Sequence, residues 1–377
     1  MELSIPKREL FRGLQRTHGV ADRKSSMPIL SNVLLTTEGQ DTLRLAATDL
    51  YLGVTSTVAA SVTQPGSIAL AARTLYDIVR ALPEGQVTLE VGQNQAVAIR
   101  SGRIRYSIPG LPGEDFPPLP HPGEATLQPL GAAALHELIA LTSYSMSTDD
   151  TRPHLAGTLF EGDGPLLRMV TTDGHRLSKA ESATEGAELA FKMLVPHKGI
   201  SELKKLLDDL KGAKTPEGPA KVEVGTDAAG NAFFRSPDVL LSVKLADEQF
   251  PPYDKVIPQQ QDKRVIADRS RLVDSLKRIS LVTSDKSGGG VQLQIEDGLV
   301  RIKSQNPDVG EGIEEVEVDY AGEGVTIGFN AKYLLDALGA LPQDEVALEL
   351  SGTLDPGVVK PVGEGADFVG VIMPMRI

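Results

Sequence analysis

The run Thr172-Asp173-Gly174-His175-Arg176-Leu177 places a carboxylate two residues from an imidazole. Such a pair can serve general acid–base catalysis or hold a metal, because imidazole is the usual base and a common ligand near neutral pH. The rest of the sequence gives the pair no partners. There are 6 histidines, none spaced as a second ligand, and no glycine loop followed by Lys-Ser or Lys-Thr to cradle a phosphate. The absence of cysteine removes disulfides, thiolate nucleophiles and thiolate metal sites together. The residue types therefore argue against a metal or hydrolase site, and no cofactor is expected.

What positions Asp173 and His175 is a strand pattern that recurs. Leu166–Leu177 (LLRMVTTDGHRL) has relatives at Leu43–Leu50 (LRLAATDL) and Leu299–Pro307 (LVRIKSQNP), each carrying an arginine (Arg44, Arg168, Arg301) and ending at a turn residue (Asp49, Asp173, Asn306). The spacing is that of a whole domain, so the chain reads as one domain written three times. Two linkers agree, LPGEDFPPL at Leu111–Leu119 and LADEQFPPY at Leu245–Tyr253, both stiffened by a proline pair. The expected domains are residues 1–122, 123–256 and 257–377. A length of 377 residues, with 41% hydrophobic and 24% charged, suits that count. No apolar run reaches the roughly 18 residues of a membrane span. The N-terminal stretch is charged and amphipathic rather than a signal peptide, so a cytoplasmic location is expected.

Within each domain, the periodicity predicts two strand–helix–three-strand halves, an α+β fold. Pro6 opens a helix to about Thr17, and further helices are predicted over Ala72–Leu82, Ala132–Ser145, Lys198–Lys211, Arg269–Leu281 and Ala331–Leu341. Strands are expected at Ile29–Thr36, at Leu189–Val195 and in a last segment running to Ile377, among about two dozen in all.

The net formal charge of −13 would ordinarily argue against nucleic acid. Its distribution argues otherwise, because the six helix windows together hold more Lys and Arg than Asp and Glu. Arg8, Arg12 and Arg16 recur every fourth residue along one helix, and Lys198, Lys204 and Lys205 or Arg269, Arg271, Lys277 and Arg278 load others. Any one such helix is an ordinary solvated face; three biased repeats suit helices that face a polyanion while acidic sheets face solvent. Six helices spaced roughly 9 Å apart around a circle leave too small a hole for a duplex, whereas twelve, from two chains, leave roughly 24 Å. Closed symmetry is the habit of homo-oligomers, so a dimer is expected. Arg100, Arg103 and Arg105, expected on the last strand of the first domain and alternating with Ile104, Tyr106 and Ile108, make a basic edge. Glu311, Glu314, Glu315 and Glu317 make an acidic one. The two suit head-to-tail pairing, although exposed edges also wear charge to prevent aggregation.

Taken jointly, Thr172–Leu177, Gly328-Phe329-Asn330 with Tyr333–Leu338, and the terminal Met373-Pro374-Met375-Arg376 resemble the bacterial DNA polymerase III beta subunit family, the sliding clamps, over essentially the full length. The resemblance implies the DNA clamp fold, a homodimeric ring with helices inside and sheets outside that encircles duplex DNA without sequence preference. It implies no catalysis and no membrane; ATP belongs to a separate clamp loader. Partners implied are the polymerase III catalytic subunit, the loader, and other polymerases and repair proteins that insert a short leucine- and phenylalanine-containing peptide into one cleft. Residues implied for that cleft are Leu155, Thr172, Gly174, His175, Arg176, Leu177, Pro251, Lys255 and Val256, with Asn330, Tyr333, Leu354, Val371, Ile372, Met373, Pro374, Met375 and Arg376. Lys255 stands where the family commonly has arginine, which removes a bidentate contact, and Ser287-Gly288-Gly289-Gly290 lacks a large residue some relatives place at the rim. For DNA the matching cations are Arg8, Arg12, Arg16, Arg23, Lys24, Arg73, Arg80, Arg152 and Lys198, with Asp149 repelling phosphate nearby. For the dimer boundary the candidate residues are Arg103, Arg105, Tyr106, Ile108, Leu281, Val282, Glu311, Glu314 and Glu315. A DNA-independent protein scaffold of the same three domains is the alternative reading.

Overall fold

The computed structural model describes all residues except 23, 150, 185, 187, 212, 213, 216, 217, 284–288, 366 and 377, and only the backbone of 214 and 215. Arg23, Ser287, Gly288 and Ile377, named above, lie outside the described residues. Six helices are described, and each belongs to a strand–helix–three-strand half. The first two halves are β1 (Glu2–Pro6), α1 (Lys7–Thr17), β2 (Asn32–Glu38), β3 (Thr42–Thr48) and β4 (Leu52–Ala59), followed by a short β5 (Ser61–Gln64), then β6 (Ser67–Ala71), α2 (Ala72–Ala81), β7 (Gln86–Val91), β8 (Ala96–Ser101) and β9 (Ile104–Pro112). The third is β10 (Gln128–Gly131), α3 (Ala132–Thr142), β11 (Gly157–Gly164), β12 (Leu166–Thr172) and β13 (Arg176–Ala183). The fourth is β14 (Leu189–Pro196), α4 (His197–Leu210), a short hairpin of β15 (Lys214–Thr215) and β16 (Gly218–Pro219), then β17 (Lys221–Thr226), β18 (Asn231–Ser236) and β19 (Val239–Lys244). The last two are β20 (Lys263–Asp268), α5 (Arg269–Ser280), β21 (Gly290–Glu296), β22 (Leu299–Asn306) and β23 (Gly310–Glu317), then β24 (Val325–Asn330), α6 (Ala331–Ala340), β25 (Glu345–Leu350), β26 (Gly357–Pro361) and β27 (Asp367–Ile372).

Each half lends its first strand to its sister. The order β4-β3-β2-β6 joins three strands of the first half to the first strand of the second, and β9-β8-β7-β1 does the converse. The same exchange makes β14-β11-β12-β13, β10-β17-β18-β19, β24-β21-β22-β23 and β20-β25-β26-β27. These four-stranded sheets then fuse: β4 pairs antiparallel with β19, and β13 with β27. Fusion divides the chain into two compact units, Met1–Ala132 with Ser201–Leu245 and Ala133–Ile200 with Ala246–Ile377.

Alternation along the strands places Leu43 and Leu45, Val97 and Ile99, and Val300 and Ile302 in the core. On α1, Leu10 and Leu14 are buried one turn apart. Two expectations need correction. Residues Pro28–Ser31 form a 3₁₀ turn before β2 rather than the start of a strand, with Pro28 in its first position, where the missing N–H costs nothing. The last strand stops at Ile372; Pro374 has no N–H to continue a ladder, and only Met375 makes an isolated bridge, to Gly328.

Close strand packing fixes some positions as glycine. A Cβ on Gly157 of β11 would lie 2.6 Å from the Val195 carbonyl oxygen on β14, a backbone atom that cannot turn aside. Gly157→Ala is expected to cost about 1–3 kcal/mol, read as a lower urea midpoint with an unchanged slope.

Candidate functional site

The turn between β12 and β13 is a local hydrogen-bond construction. Asp173 Oδ1 accepts from the backbone N–H of His175 (2.9 Å) and Arg176 (3.0 Å), and the Thr172 hydroxyl donates to the Arg176 carbonyl (2.6 Å) while accepting from Gly174 N–H (3.1 Å). These are the bonds for which Asp and Thr are favoured in turns. The Asp173 carboxylate is thus committed to the turn. The first repeat builds the same turn: Asp49 Oδ1 accepts from Tyr51 N–H (3.0 Å) and Leu52 N–H (2.7 Å), and the Thr48 hydroxyl donates to the Leu52 carbonyl (2.8 Å). At the third position Gly174 adopts φ +90°, whereas Leu50 adopts φ 77°. The left-handed region is easy for glycine and strained for leucine.

Arg176 follows that turn, its side chain 9% exposed. Its Nε donates to Asp173 Oδ2 (3.0 Å), Nη1 to Asp336 Oδ2 (2.6 Å) and Nη2 to the Tyr144 carbonyl (2.7 Å). The guanidinium also lies 4.5 Å from the Tyr333 ring centre and 5.4 Å from that of Tyr144. Burial alone would lower its pKa, but the bonds to Asp336 and Asp173 outweigh burial and raise it. Burial pushes the Tyr144 phenol up to about 12. Arg176 therefore braces the wall of the site, with three of its five N–H donors engaged in these contacts.

Beside it is a largely apolar cavity of about 300 Å³. Of the residues expected in the cleft, Leu155, Thr172, Gly174, Arg176, Leu177, Pro251, Val256, Val371 and Met373 line it. His154 and Tyr253 line it too, and sequence reasoning missed both; the signal for Tyr253 was its place after the Pro-Pro pair, where the first linker has Leu119. The other expected residues are not part of this lining. His175 is exposed and stacks with Tyr333, centroids 6.4 Å apart. Asn330 caps α6, its Oδ1 accepting from Lys332 and Tyr333 N–H. Ile372 is buried opposite Arg176 in the β13–β27 ladder. Lys255, Leu354 and Arg376 are exposed, and Pro374 and Met375 half-buried.

Four of the eight described DNA-facing candidates are committed to ion pairs. Arg12 pairs with Glu9 (2.8 Å), Arg16 with Asp209 (2.9 Å), Arg73 with Asp77 (2.7 Å) and Arg152 with Asp149 (2.9 Å). The contiguous basic ridge expected on α1 is therefore largely neutralised. Hydrogen bonds from Thr151 and Arg152 hold the Asp149 carboxyl down at about 2. Arg8 and Arg80 are exposed without an ion-pair partner among the described residues, and Lys24 and Lys198 are exposed.

On the expected boundary strands, Arg100 sits on β8 paired with Glu90 (2.9 Å) and Arg103 lies in the turn that follows, so only Arg105 is on the last strand. Glu314 is held by Arg278 and Glu315 by Arg301 (2.8 Å), leaving Glu311 exposed on β23. Tyr106, Ile313 and Leu281 are 40%, 52% and 79% exposed; Ile108 and Val282 are half-buried.

Repeated half-sheets joined edge to edge, with an apolar cavity beside the β12–β13 turn, make a scaffold that offers a binding surface. Residues 1–120, 130–252 and 254–376 match the N-terminal, central and C-terminal domains of the DNA polymerase III beta subunit. Beta sliding clamps of Pseudomonas putida and Caulobacter vibrioides are both 36% identical over the whole of each chain. The crystal structure of the Pseudomonas aeruginosa DNA polymerase III beta subunit superposes with a TM-score of 0.91 at 34% identity, covering all of both chains. A Bartonella birtlesii clamp bound to griselimycin gives 0.92 at 33%, again covering both chains in full. The chain belongs to the DNA polymerase III beta subunit family, the sliding clamps: non-catalytic processivity factors of DNA replication with a three-domain α+β clamp fold.

Breaking the Arg176 brace is expected to be costly. Arg176→Ala leaves Asp173 without its cation and Asp336 with only the exposed Lys332 (2.7 Å), a loss of about 3 kcal/mol. Arg176→Lys should recover little of it, because an ammonium cannot reach three acceptors and stack at once. Urea unfolding of both variants measures this.

Proposed function

We propose that two copies of this chain close head to tail into a ring around duplex DNA, tether the replicative polymerase, and present the Leu155–Leu177–Val371 cavity to short peptides of the polymerase, the clamp loader and repair proteins. One observation carries the ring. Both fusions between halves of different repeats join the last strand of one half to that of the half three places on, β4 of the first to β19 of the fourth and β13 of the third to β27 of the sixth, whereas β6–β9 joins the two sheets within the first repeat. By that rule, β23 of the fifth half awaits β9 of the second half of another chain. Both edges are open in the described structure: β23 ends its sheet, and residues 104–109 of β9 bond to β8 alone. Open edges are normally blunted, yet these display Tyr106, Ile104 and Ile313 in addition to Arg105 and Glu311.

Closing both boundaries brings twelve helices around the hole, two from each domain (1–122, 123–256 and 257–377). Duplex DNA then meets Arg8, Lys24, Arg80 and Lys198 most directly. Because so many helix cations are already paired, direct DNA affinity is weak and sequence-blind, and the ring is held on DNA by topology. A cytoplasmic replication factor fits the family, and no described helix is long and apolar enough to cross a membrane.

Arg105→Glu is expected to shift the sedimenting species from dimer toward monomer, and Glu311→Arg likewise. Combining the two should restore dimer, since opposite charges across strands attract and like charges repel. A double variant more monomeric than either single one contradicts the β9–β23 pairing.

A further inference from the structure

The arginine shared by the three repeats is a cross-strand ion-pair partner in each. Arg44 meets Glu38 (2.9 Å) and Arg301 meets Glu315 (2.8 Å). In the second repeat, Arg168 lies directly opposite Glu161 on β11 and Glu181 on β13 and bonds both, at 3.2 and 2.6 Å. Only here does the network extend to a residue of the cavity. The Tyr253 hydroxyl donates to Glu161 Oε2 (2.5 Å) and accepts from Arg168 Nη1 (3.3 Å). Lys192 holds the other oxygen of Glu161 (2.7 Å), and Lys179 supports Glu181 (2.5 Å).

Tyr253 links this network to the binding surface. Its ring is buried against Leu159, Val170, Leu177 and Val371 and lines the cavity. It also opens the turn Tyr253–Lys255, and its carbonyl accepts from Val256 N–H (2.9 Å), so the anchored phenol fixes where Val256 stands. The preceding Pro251-Pro252 cannot contribute N–H groups to hold this segment to the sheet. The phenol bond is the side-chain hydrogen bond seen to do so. We propose that Glu161 and Arg168 are positioning residues for peptide binding: from outside the cavity they hold Tyr253, and through it Val256, in the geometry the peptide requires. The proposal rests on the peptide-binding reading of the cleft.

The charges are consistent with that role. Burial raises the Tyr253 pKa, and the hydrogen bond to anionic Glu161 raises it further, so the phenol keeps its proton and remains a donor. Burial would raise the pKa of Glu161, but bonds from Lys192, Tyr253 and Arg168 outweigh it and keep the carboxylate ionised.

The test is the affinity of the full-length protein for a short leucine- and phenylalanine-containing peptide, measured by calorimetry with unfolding followed in parallel. Glu161→Ala is expected to weaken binding about tenfold, the scale of one hydrogen bond to a charged group. Glu161→Gln keeps an acceptor within reach of the phenol and should restore most of the affinity. Tyr253→Phe should match Glu161→Ala, and the double variant should bind no more weakly than Tyr253→Phe alone. As a control, Glu223→Ala removes a similar cross-strand pair with Arg235 (2.6 Å) and should leave affinity unchanged. Wild-type affinity in Glu161→Ala, additive losses in the double variant, or an equal loss in Glu223→Ala each overturn the positioning role while leaving the cleft reading intact. A wild-type protein that does not bind the peptide overturns the cleft reading and this proposal with it.

Discussion

A strand edge presents backbone N–H and C=O groups that water or another strand must satisfy, and this fold is built by satisfying them between halves rather than within them. Each half puts three of its strands into one sheet and takes that sheet's fourth strand from its sister, so neither half has a complete sheet alone. The third strand of each half then offers its edge outward. Two such offers are taken up inside the chain, at β4–β19 and β13–β27. Short length, bulges or a covering helix would have blunted the remaining two. Instead β9 and β23 keep apolar and singly charged residues along their open sides. These are the edges that the second copy covers in the proposed ring.

The cavity arises where two copies of one turn diverged. Backbone geometry is shared: Met373 N–H donates to the His175 carbonyl as Lys244 N–H does to that of Tyr51 (2.9 and 2.7 Å). Side chains differ. In the second repeat Leu177 and Val371 form an apolar floor with Tyr253 above it. In the first repeat Gly53 follows Leu52, and Leu119 fills the space beside it, within 3.0 Å of where a Cβ on Gly53 would stand. A glycine against a leucine closes the surface, whereas a leucine against an anchored tyrosine leaves room for a flexible methionine at the rim, the kind of adaptable lining that suits several ligands.

Much of this was legible in the sequence because it depends on short-range pattern. Strand alternation, proline and glycine punctuation and the recurrent turn residues gave the six halves, and helix bounds fell within a residue or two except in α3, which stops at Thr142 and gives way to a 3₁₀ turn over Ser143–Ser145. Pro28 turned an expected strand start into a 3₁₀ turn because ring closure at φ near −65° suits the turn. Long-range pairing was less visible. Arg8, Arg12 and Arg16 read as a basic ridge, but Asp209 and Asp238, which neutralise two of them, are some 200 positions away. Tyr253 gave no chemical signal of its own, since its role depends on a carboxylate and a guanidinium across the β11–β12 ladder. Asn330 belonged to the family's cleft by motif, while the structure uses its side-chain oxygen to cap a helix.

The central claim is that the protein stays on DNA because it surrounds it. The most direct test loads the protein onto nicked circular DNA with a bacterial clamp loader, washes at high salt, then linearises the circle and follows release. Retention on the circle and loss after cutting is the result expected of a ring. Loss in salt from circular and linear DNA alike, with a loader shown to be competent on another clamp, would contradict it and favour a scaffold that touches DNA only through its surface charge.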